Sequence, residues 1–173
     1  MLRLLLAFLP LALLILLVAQ INHMLAPWHV YLYIDGLLVV FAALRLDFRP
    51  GLGAVFLAGL FADAGEPVRF GTDAMLLAIA YVFIFSARRR LPLEEPLVGL
   101  TLGLIANLGI FLALSLLLFA HSPVLVGILP RLLVDLLCSQ ILLALIASWF
   151  FALQARVFAL AGFELRGRPR SLI

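Results

Sequence analysis

The chain has 173 residues, of which 66% are hydrophobic and only 12% charged, with a net charge of +3 and a mean hydropathy of +1.27. Soluble domains are roughly 45–50% apolar and about 25% charged. This composition excludes a soluble enzyme, a disordered chain and a nucleic-acid-binding domain, and no nucleic-acid partner is expected. It predicts an all-α polytopic membrane protein whose residues 1–173 form a single helical domain.

Apolar runs predict six transmembrane helices in chain order. Their approximate bounds are 4–22, 30–46, 51–64, 73–87, 96–119 and 129–151, and a basic tail follows at 152–173. Spans three and four are short, because fourteen helical residues rise only about 21 Å against a hydrocarbon core of about 30 Å.

The third and fourth segments form either two short full spans or a shallow re-entrant hairpin. The hairpin would bring Asp63, Glu66, Arg69 and Asp73 to mid-membrane depth. Each charge there costs about 2.5–3.5 kcal/mol. Two short spans are therefore favoured.

The arginines predict the orientation of the helices. In a six-span arrangement Arg69 and Arg131 fall on one side, and all the other arginines fall on the opposite side. The larger group consists of Arg3, Arg45, Arg49, Arg88, Arg89, Arg90, Arg156, Arg166, Arg168 and Arg170. The positive-inside rule then predicts that both termini lie in the cytoplasm. The basic groups at the membrane ends are also expected to anchor the protein to anionic lipids.

Acidic residues gather toward the opposite, outer third of the predicted bundle. The group consists of Asp35, Asp63, Asp73 and Asp135, accompanied by Arg69 and Arg131. Buried carboxylates in a helix bundle require a nearby charge or hydrogen-bond donor. The favoured interpretation is an internal network of ion pairs and helix caps. The alternative is a polar docking site, or a pocket for a small molecule or a proton.

Small residues recur at helical spacing on spans three and five. Span three carries Gly51, Gly59 and Asp63 on one row, and span five carries Gly99, Gly103 and Asn107. Small residues let helix backbones approach closely in lipid. Intramolecular helix packing is the favoured interpretation, and a groove for the membrane helix of a partner is the alternative.

Motifs of enzymes give no support for catalysis. The sequence has neither an H-E-x-x-H zinc motif nor a serine nucleophile elbow with a partner histidine. The segment "DGLLVVFAALR" with "GLFAD" only faintly resembles the aspartate motif of CDP-alcohol phosphotransferases, and Pro67 stands where its last aspartate is expected. No enzymatic activity, metal or cofactor is therefore predicted.

Residues 27–85 resemble the rod-shape-determining MreD family. The resemblance is carried by "YIDGLLVVFAAL", the basic turn "RLDFRPG", the helix "GAVFLAGLFAD" and the segment "GEPVRFGTDAMLLAIAYVF". It implies a non-enzymatic scaffold of the cell-elongation machinery that supports peptidoglycan synthesis along the side wall. It further implies binding to MreC and, through MreC, partnership with MreB, RodA and a class-B penicillin-binding protein.

The same resemblance implies a fold similar to the substrate-binding subunit of energy-coupling-factor transporters. This provides a second functional hypothesis, a membrane subunit that binds a vitamin-like ligand in its outer third. Asp35, Asp63 and Asp135 would line such a cavity.

Overall fold

A computed structural model describes residues 1–65, 69–91, 96–119 and 129–163. Helices make up 88% of these residues, and no strand occurs among them. The six α-helices are α1 (Leu2–Leu25), α2 (Asp35–Arg45), α3 (Phe48–Asp63), α4 (Thr72–Ala87), α5 (Pro96–Phe119) and α6 (Leu129–Leu160). Single 3₁₀ turns follow α1 at Ala26–Trp28 and α4 at Arg88–Arg90.

Three helical segments in the described part of the chain are long and apolar enough to cross a membrane. They are Leu2–Trp28, Leu97–Leu117 and Leu129–Leu160. Helices α3 and α4 have 16 residues each and α2 has 11. A helix of 16 residues rises about 24 Å, which is less than the roughly 30 Å of a hydrocarbon core.

Helix α2 lies at the centre of the bundle. The other five helices contact one another in the closed order α1, α3, α4, α5, α6 and back to α1, and α2 packs against α3, α4, α5 and α6. All nine residues from Gly36 to Leu44 are buried. These nine residues are all apolar or glycine, as is typical of a helix that is enclosed on every side.

The outer surface of the ring is apolar. Large side chains point outward on α1, α5 and α6, including Leu9 at 70% exposure, Leu116 at 70% and Leu145 at 73%. A water-soluble protein would not leave so much contiguous apolar surface exposed. Exposed apolar faces on these long helices are typical of a protein whose solvent is lipid.

The two ends of the bundle differ in charge. Arg3 contacts Asp47, and Arg88 contacts the carbonyl groups of Ala43 and Leu46, so the start of α1, the α2–α3 junction and the end of α4 lie together. We call this the arginine end. Its arginines are Arg3, Arg45, Arg49, Arg88, Arg89, Arg90 and Arg156.

The opposite end, which we call the aspartate end, contains the α3–α4 junction and the beginnings of α2 and α6. Its charged residues are Asp35, Asp63, Asp73, Asp135, Arg69 and Arg131. Glu66, Arg166, Arg168 and Arg170 lie outside the described residues.

Two predicted segments differ from the structure. The predicted span 30–46 is helical only from Asp35, because residues 30–34 are not helical. At the other end of the chain, α6 continues to Leu160 and so includes the first nine residues of the predicted tail 152–173. The extension is stabilised by burial at helical spacing, since Phe150, Gln154 and Phe158 all lie inside, with Phe158 against the ring of Phe41.

Candidate functional site

The main polar feature of the interior is the non-helical segment 30–34 that leads into α2. It begins after His29, which has a left-handed backbone with φ of 56° and closes the preceding 3₁₀ turn. Leu32 and Ile34 are buried, and Tyr31 and Tyr33 are half-buried. Backbone groups outside a helix or barrel are tolerated at membrane depth only where the chain is buried in protein or lines a water-filled cavity. The hydrogen-bond partners of this segment are therefore its main structural requirement.

Asn22 of α1 satisfies the middle of the segment. Its Nδ2 donates to the Leu32 carbonyl at 3.0 Å, and its Oδ1 accepts the Leu32 N–H at 2.8 Å. One amide side chain thus pairs with both backbone groups of one residue, as a neighbouring strand would. Asn22 itself is only 7% exposed, so both hydrogen bonds form away from solvent.

Helix α6 satisfies the residues on either side of Leu32. Asp135 Oδ1 accepts the Tyr31 N–H at 2.9 Å, and Ser139 Oγ accepts the Tyr33 N–H at 2.9 Å. Residues four apart on a helix lie on one face about 6 Å apart, which matches the spacing of alternate residues in an extended chain. The Asp135–Ser139 pair is thereby in register with Tyr31 and Tyr33.

Asn107 of α5 completes the set. Its Nδ2 donates to the Tyr33 carbonyl at 3.1 Å, and its Oδ1 accepts the Gly36 N–H at 3.2 Å. The close approach of α2 to α5 requires glycine at position 36, since a Cβ there would overlap the Gly103 carbonyl and lie 2.5 Å from the backbone nitrogen of Asn107. Three helices therefore hold residues 31–36 through four side chains, which we call the segment clamp: Asn22, Asn107, Asp135 and Ser139.

Asp63 performs a similar function at the α3–α4 junction. Its Oδ2 accepts N–H groups from Gly71 at 3.0 Å and Ala74 at 3.2 Å, and its Oδ1 accepts that of Asp73 at 3.0 Å. The first turn of a helix has backbone N–H groups without intrahelical partners, and it attracts negative charge. The carboxylate of Asp63, which is 3% exposed, thus caps α4 from the end of α3.

The predicted acidic group is divided among three places. Asp63 and Asp73 lie at the α3–α4 junction, where Asp73 occupies the first turn of α4. Asp135 lies on α6, with Arg131 Nε 4.0 Å from its Oδ2, and Asp35 begins α2. Within the described residues Arg69 forms no salt bridge, although its carbonyl accepts hydrogen bonds from Thr72.

The small residues singled out in spans three and five face this chain's own helices. A Cβ on Gly51 would overlap the Tyr81 hydroxyl, and one on Gly59 would overlap the Ala74 backbone. On α5, Gly99 faces the ring of Phe151, and Gly103 faces Leu143 as well as Gly36. The two rows therefore lie at close helix contacts inside the bundle.

A cavity of about 280 Å³ lies beside the segment clamp, between α1, residues 31–35 and the end of α3. Of the predicted acids, Asp35 lines it. Asn22, Tyr31 and Tyr33 also contribute to its wall, and the remaining lining is apolar or small: Ile15, Leu16, Val18, Ala19, Leu32, Ile34, Leu38, Phe61, Ala62, Ala64 and Gly65. It combines a carboxylate with an apolar wall, which suits a small amphiphilic group.

Across residues 1–65, 69–91, 96–119 and 129–163, no three His, Cys, Asp or Glu side chains converge in a way that could hold a metal ion.

Sequence reasoning missed Asn22 and Ser139 as site residues and assigned Asn107 to helix packing. A signal was present, since each is a polar residue in or at the end of an apolar run. Polar residues within membrane spans commonly face other helices and form hydrogen bonds. Their partners were not predictable, because these are backbone groups of a segment predicted to be helical.

No protein-family model, curated protein or solved structure matches the chain.

Proposed function

We propose that the protein is a non-enzymatic membrane scaffold of the bacterial cell-elongation machinery, resembling MreD, that crosses the inner membrane six times. In this proposal it binds MreC and, through MreC, MreB, RodA and a class-B penicillin-binding protein. The observation that carries the proposal is the use of the interior polar groups. Asp63, Asp135 and Asn107 hold backbone groups of the chain itself, as expected of a rigid frame.

Six crossings are supported by the path of the chain between the two ends of the bundle. Segment 30–34 and α2 together can span up to about 33 Å, from at most about 3.3 Å per non-helical residue and about 1.5 Å per helical residue. This length is comparable to the hydrocarbon core. The segregation of Arg3, Arg49 and Arg88 from Arg69 and Arg131 supports an orientation with the arginine end in the cytoplasm.

The cavity of about 280 Å³ between α1, residues 31–35 and the end of α3, which we call the groove, is the proposed docking site for the membrane helix of MreC. The glycine rows are occupied by this chain's own helices, whereas the cavity wall carries small residues, including Ala19, Ala62 and Gly65. Small side chains allow the backbone of a partner helix to approach closely. Asp35 at the cavity offers a polar contact for the partner.

Co-purification with MreC tests this proposal. Ala19→Leu fills the groove from an exposed position on α1, and Ala152→Leu adds the same side chain at an exposed position on α6 outside the groove. We expect Ala19→Leu to reduce the yield of MreC about tenfold, corresponding to a loss of about 1.4 kcal/mol, and Ala152→Leu to leave it unchanged. Equal yields from both variants would place MreC elsewhere or remove it as a partner.

The cavity also favours a second candidate function, the substrate-binding subunit of a vitamin transporter of the energy-coupling-factor type. Its volume of about 280 Å³ is near the lower end of small-molecule pockets. A thermal-shift assay of the purified protein with individual vitamins distinguishes the two functions. Stabilisation by one vitamin, together with co-purification of a pair of ATPase subunits, would favour transport, and loss of rod shape on depletion would favour the scaffold.

A further inference from the structure

An open cavity at the arginine end supports an inference that does not depend on the proposed scaffold function. It has a volume of about 520 Å³ and lies where the first turns of α1 and α3 meet the residues that follow α6. Its wall includes Leu2, Arg3, Leu4, Arg49, Pro50 and Phe163. Two guanidinium groups and an apolar wall are thus combined in one concavity at the end of the bundle.

Arg3 is held in place at this cavity. Its Nη1 donates to Asp47 Oδ2 at 3.1 Å, and its guanidinium carbon lies 4.9 Å from the centre of the Phe163 ring. A guanidinium has five N–H donors, so one hydrogen bond to Asp47 leaves donors for a further anion. The aromatic contact restricts the plane of the group without using those donors.

Arg49 supplies the second charge. Its side chain is exposed, and it forms no salt bridge with any carboxylate in the described part of the chain. Among the described residues at the cavity, the two guanidinium groups of Arg3 and Arg49 lie beside one carboxylate, that of Asp47, which leaves a net positive charge. At the other end of the bundle, Arg131 lies 4.0 Å from the buried carboxylate of Asp135 on its own helix.

The surroundings indicate the kind of anion. Next to the cavity, the outward face of α1 is apolar, with Leu2 at 57%, Leu5 at 54% and Leu9 at 70% exposure. A free anion would use only the guanidinium groups, whereas a phospholipid would also cover these leucines with its acyl chains. Arginine can bind phosphate in a bidentate manner, and anionic lipids attract basic residues near the membrane surface.

We propose that this cavity binds the phosphate headgroup of an anionic phospholipid, with Arg3 and Arg49 as its ligands. The acyl chains lie along the outward leucines of α1, and the apolar wall of the cavity receives the glycerol region. Zwitterionic lipids bind more weakly, because their positive headgroup amine lies close to the same two arginines.

Native mass spectrometry of the purified full chain tests the proposal by titration with phosphatidylglycerol and, separately, phosphatidylcholine. We expect the wild-type protein to retain phosphatidylglycerol preferentially. Arg49→Gln should weaken phosphatidylglycerol binding about fivefold, the effect of one basic residue at a membrane surface. Arg156→Gln is the matched control, because Arg156 is exposed near the same end of the bundle but outside the cavity. It should change the affinity by less than about twofold.

Other outcomes would overturn the proposal or its assignment of the anion to a phospholipid. Equal affinity for the two lipids in the wild-type protein, or equal losses in Arg49→Gln and Arg156→Gln, would overturn the proposal in favour of a diffuse surface charge. Displacement of phosphatidylglycerol by inorganic phosphate would overturn the lipid assignment. Arg49→Lys, which keeps the charge and serves as a second variant, should retain the preference for phosphatidylglycerol over phosphatidylcholine.

Discussion

The side chain of Asn107 spans the backbone of Tyr33 and the start of α2, donating to the Tyr33 carbonyl at 3.1 Å while accepting the Gly36 N–H at 3.2 Å. The two backbone groups lie on either side of the point where the non-helical segment 30–34 becomes helix. Asn107 therefore fixes where α2 begins, and α2 is the element around which the other five helices are arranged.

Asn107→Leu should destabilise the protein strongly. The substitution keeps the approximate size of the side chain but leaves the Tyr33 carbonyl and the Gly36 N–H buried without this partner. We expect the free energy of unfolding to fall by about 2–6 kcal/mol, at about 1–3 kcal/mol for each of the two unsatisfied groups. Thermal unfolding in detergent measures the change.

The control for this variant lies on the same helix. Thr101 is exposed and its hydroxyl donates to the Leu97 carbonyl within α5. Thr101→Val should change the free energy of unfolding by less than about 0.5 kcal/mol. Similar losses in the two variants would contradict the role given to Asn107.

Gly36→Ala should be poorly tolerated, because the added Cβ would overlap the Gly103 carbonyl and lie 2.5 Å from the backbone nitrogen of Asn107. Both obstacles are backbone atoms, so helices α2 and α5 must move apart. We expect a loss of about 1–3 kcal/mol in the free energy of unfolding, typical of overpacking. The measurement is the midpoint of chemical or thermal unfolding.

Gly109→Ala on α5 provides the comparison, since a Cβ there meets no atom within 4 Å. Alanine has a higher helix propensity than glycine by about 1 kcal/mol, so this variant should be neutral or slightly more stable. A stable Gly36→Ala protein would show that α2 and α5 are not held as closely as described.

Asp63→Asn tests the cap on α4. The carboxylate accepts three backbone N–H groups, from Gly71, Asp73 and Ala74. An amide has one acceptor oxygen, and its own NH₂ would face the remaining donors. We expect the free energy of unfolding to fall by about 1–3 kcal/mol.

Asp47→Asn serves as the control for the same chemical change. Asp47 pairs with Arg3, and both side chains are about half exposed, at 59% and 49%. Exposed pairs contribute less than about 1 kcal/mol, so this variant should unfold close to the wild-type temperature. Co-purification with MreC, normalised to folded protein, would show whether Asp63 acts beyond the cap.

The sequence was sufficient to predict a helical chain with six apolar segments, and the described residues contain six α-helices in the same order. It could not place the start of α2. Residues 30–34 are as apolar as the helix that follows, but they are not helical, and Asp135 and Ser139, more than 100 positions away, accept the N–H groups of Tyr31 and Tyr33. Hydropathy reports transfer into lipid and carries no information about such long-range backbone partners.

The candidate site was predictable in part for the same reason. Aspartates within apolar runs predicted buried polar contacts, and Asp63 and Asp135 do accept hydrogen bonds from backbone N–H groups. Which of the aspartates would line a cavity depended on the path of segment 30–34. Asp35 lines the cavity together with residues 31–34, which are not helical.

Arg88 holds the opposite end of α2, and its removal should be costly. Its Nη1 donates to the carbonyl groups of Ala43 at 3.0 Å and Leu46 at 2.8 Å, and its guanidinium carbon lies 3.6 Å from the centre of the Phe85 ring. The last carbonyl groups of a helix have no intrahelical partners and are stabilised by positive charge. Arg88→Gln should lower the free energy of unfolding by about 1.5–3 kcal/mol, the contribution of a charged hydrogen bond.

Arg89→Gln is the control, because it removes the same charge from the adjacent, exposed position. It should change the free energy of unfolding by less than about 0.5 kcal/mol. Because the two variants have the same net charge, a difference in their unfolding temperatures reports the contacts of Arg88 with α2, and equal temperatures would refute its role as a cap.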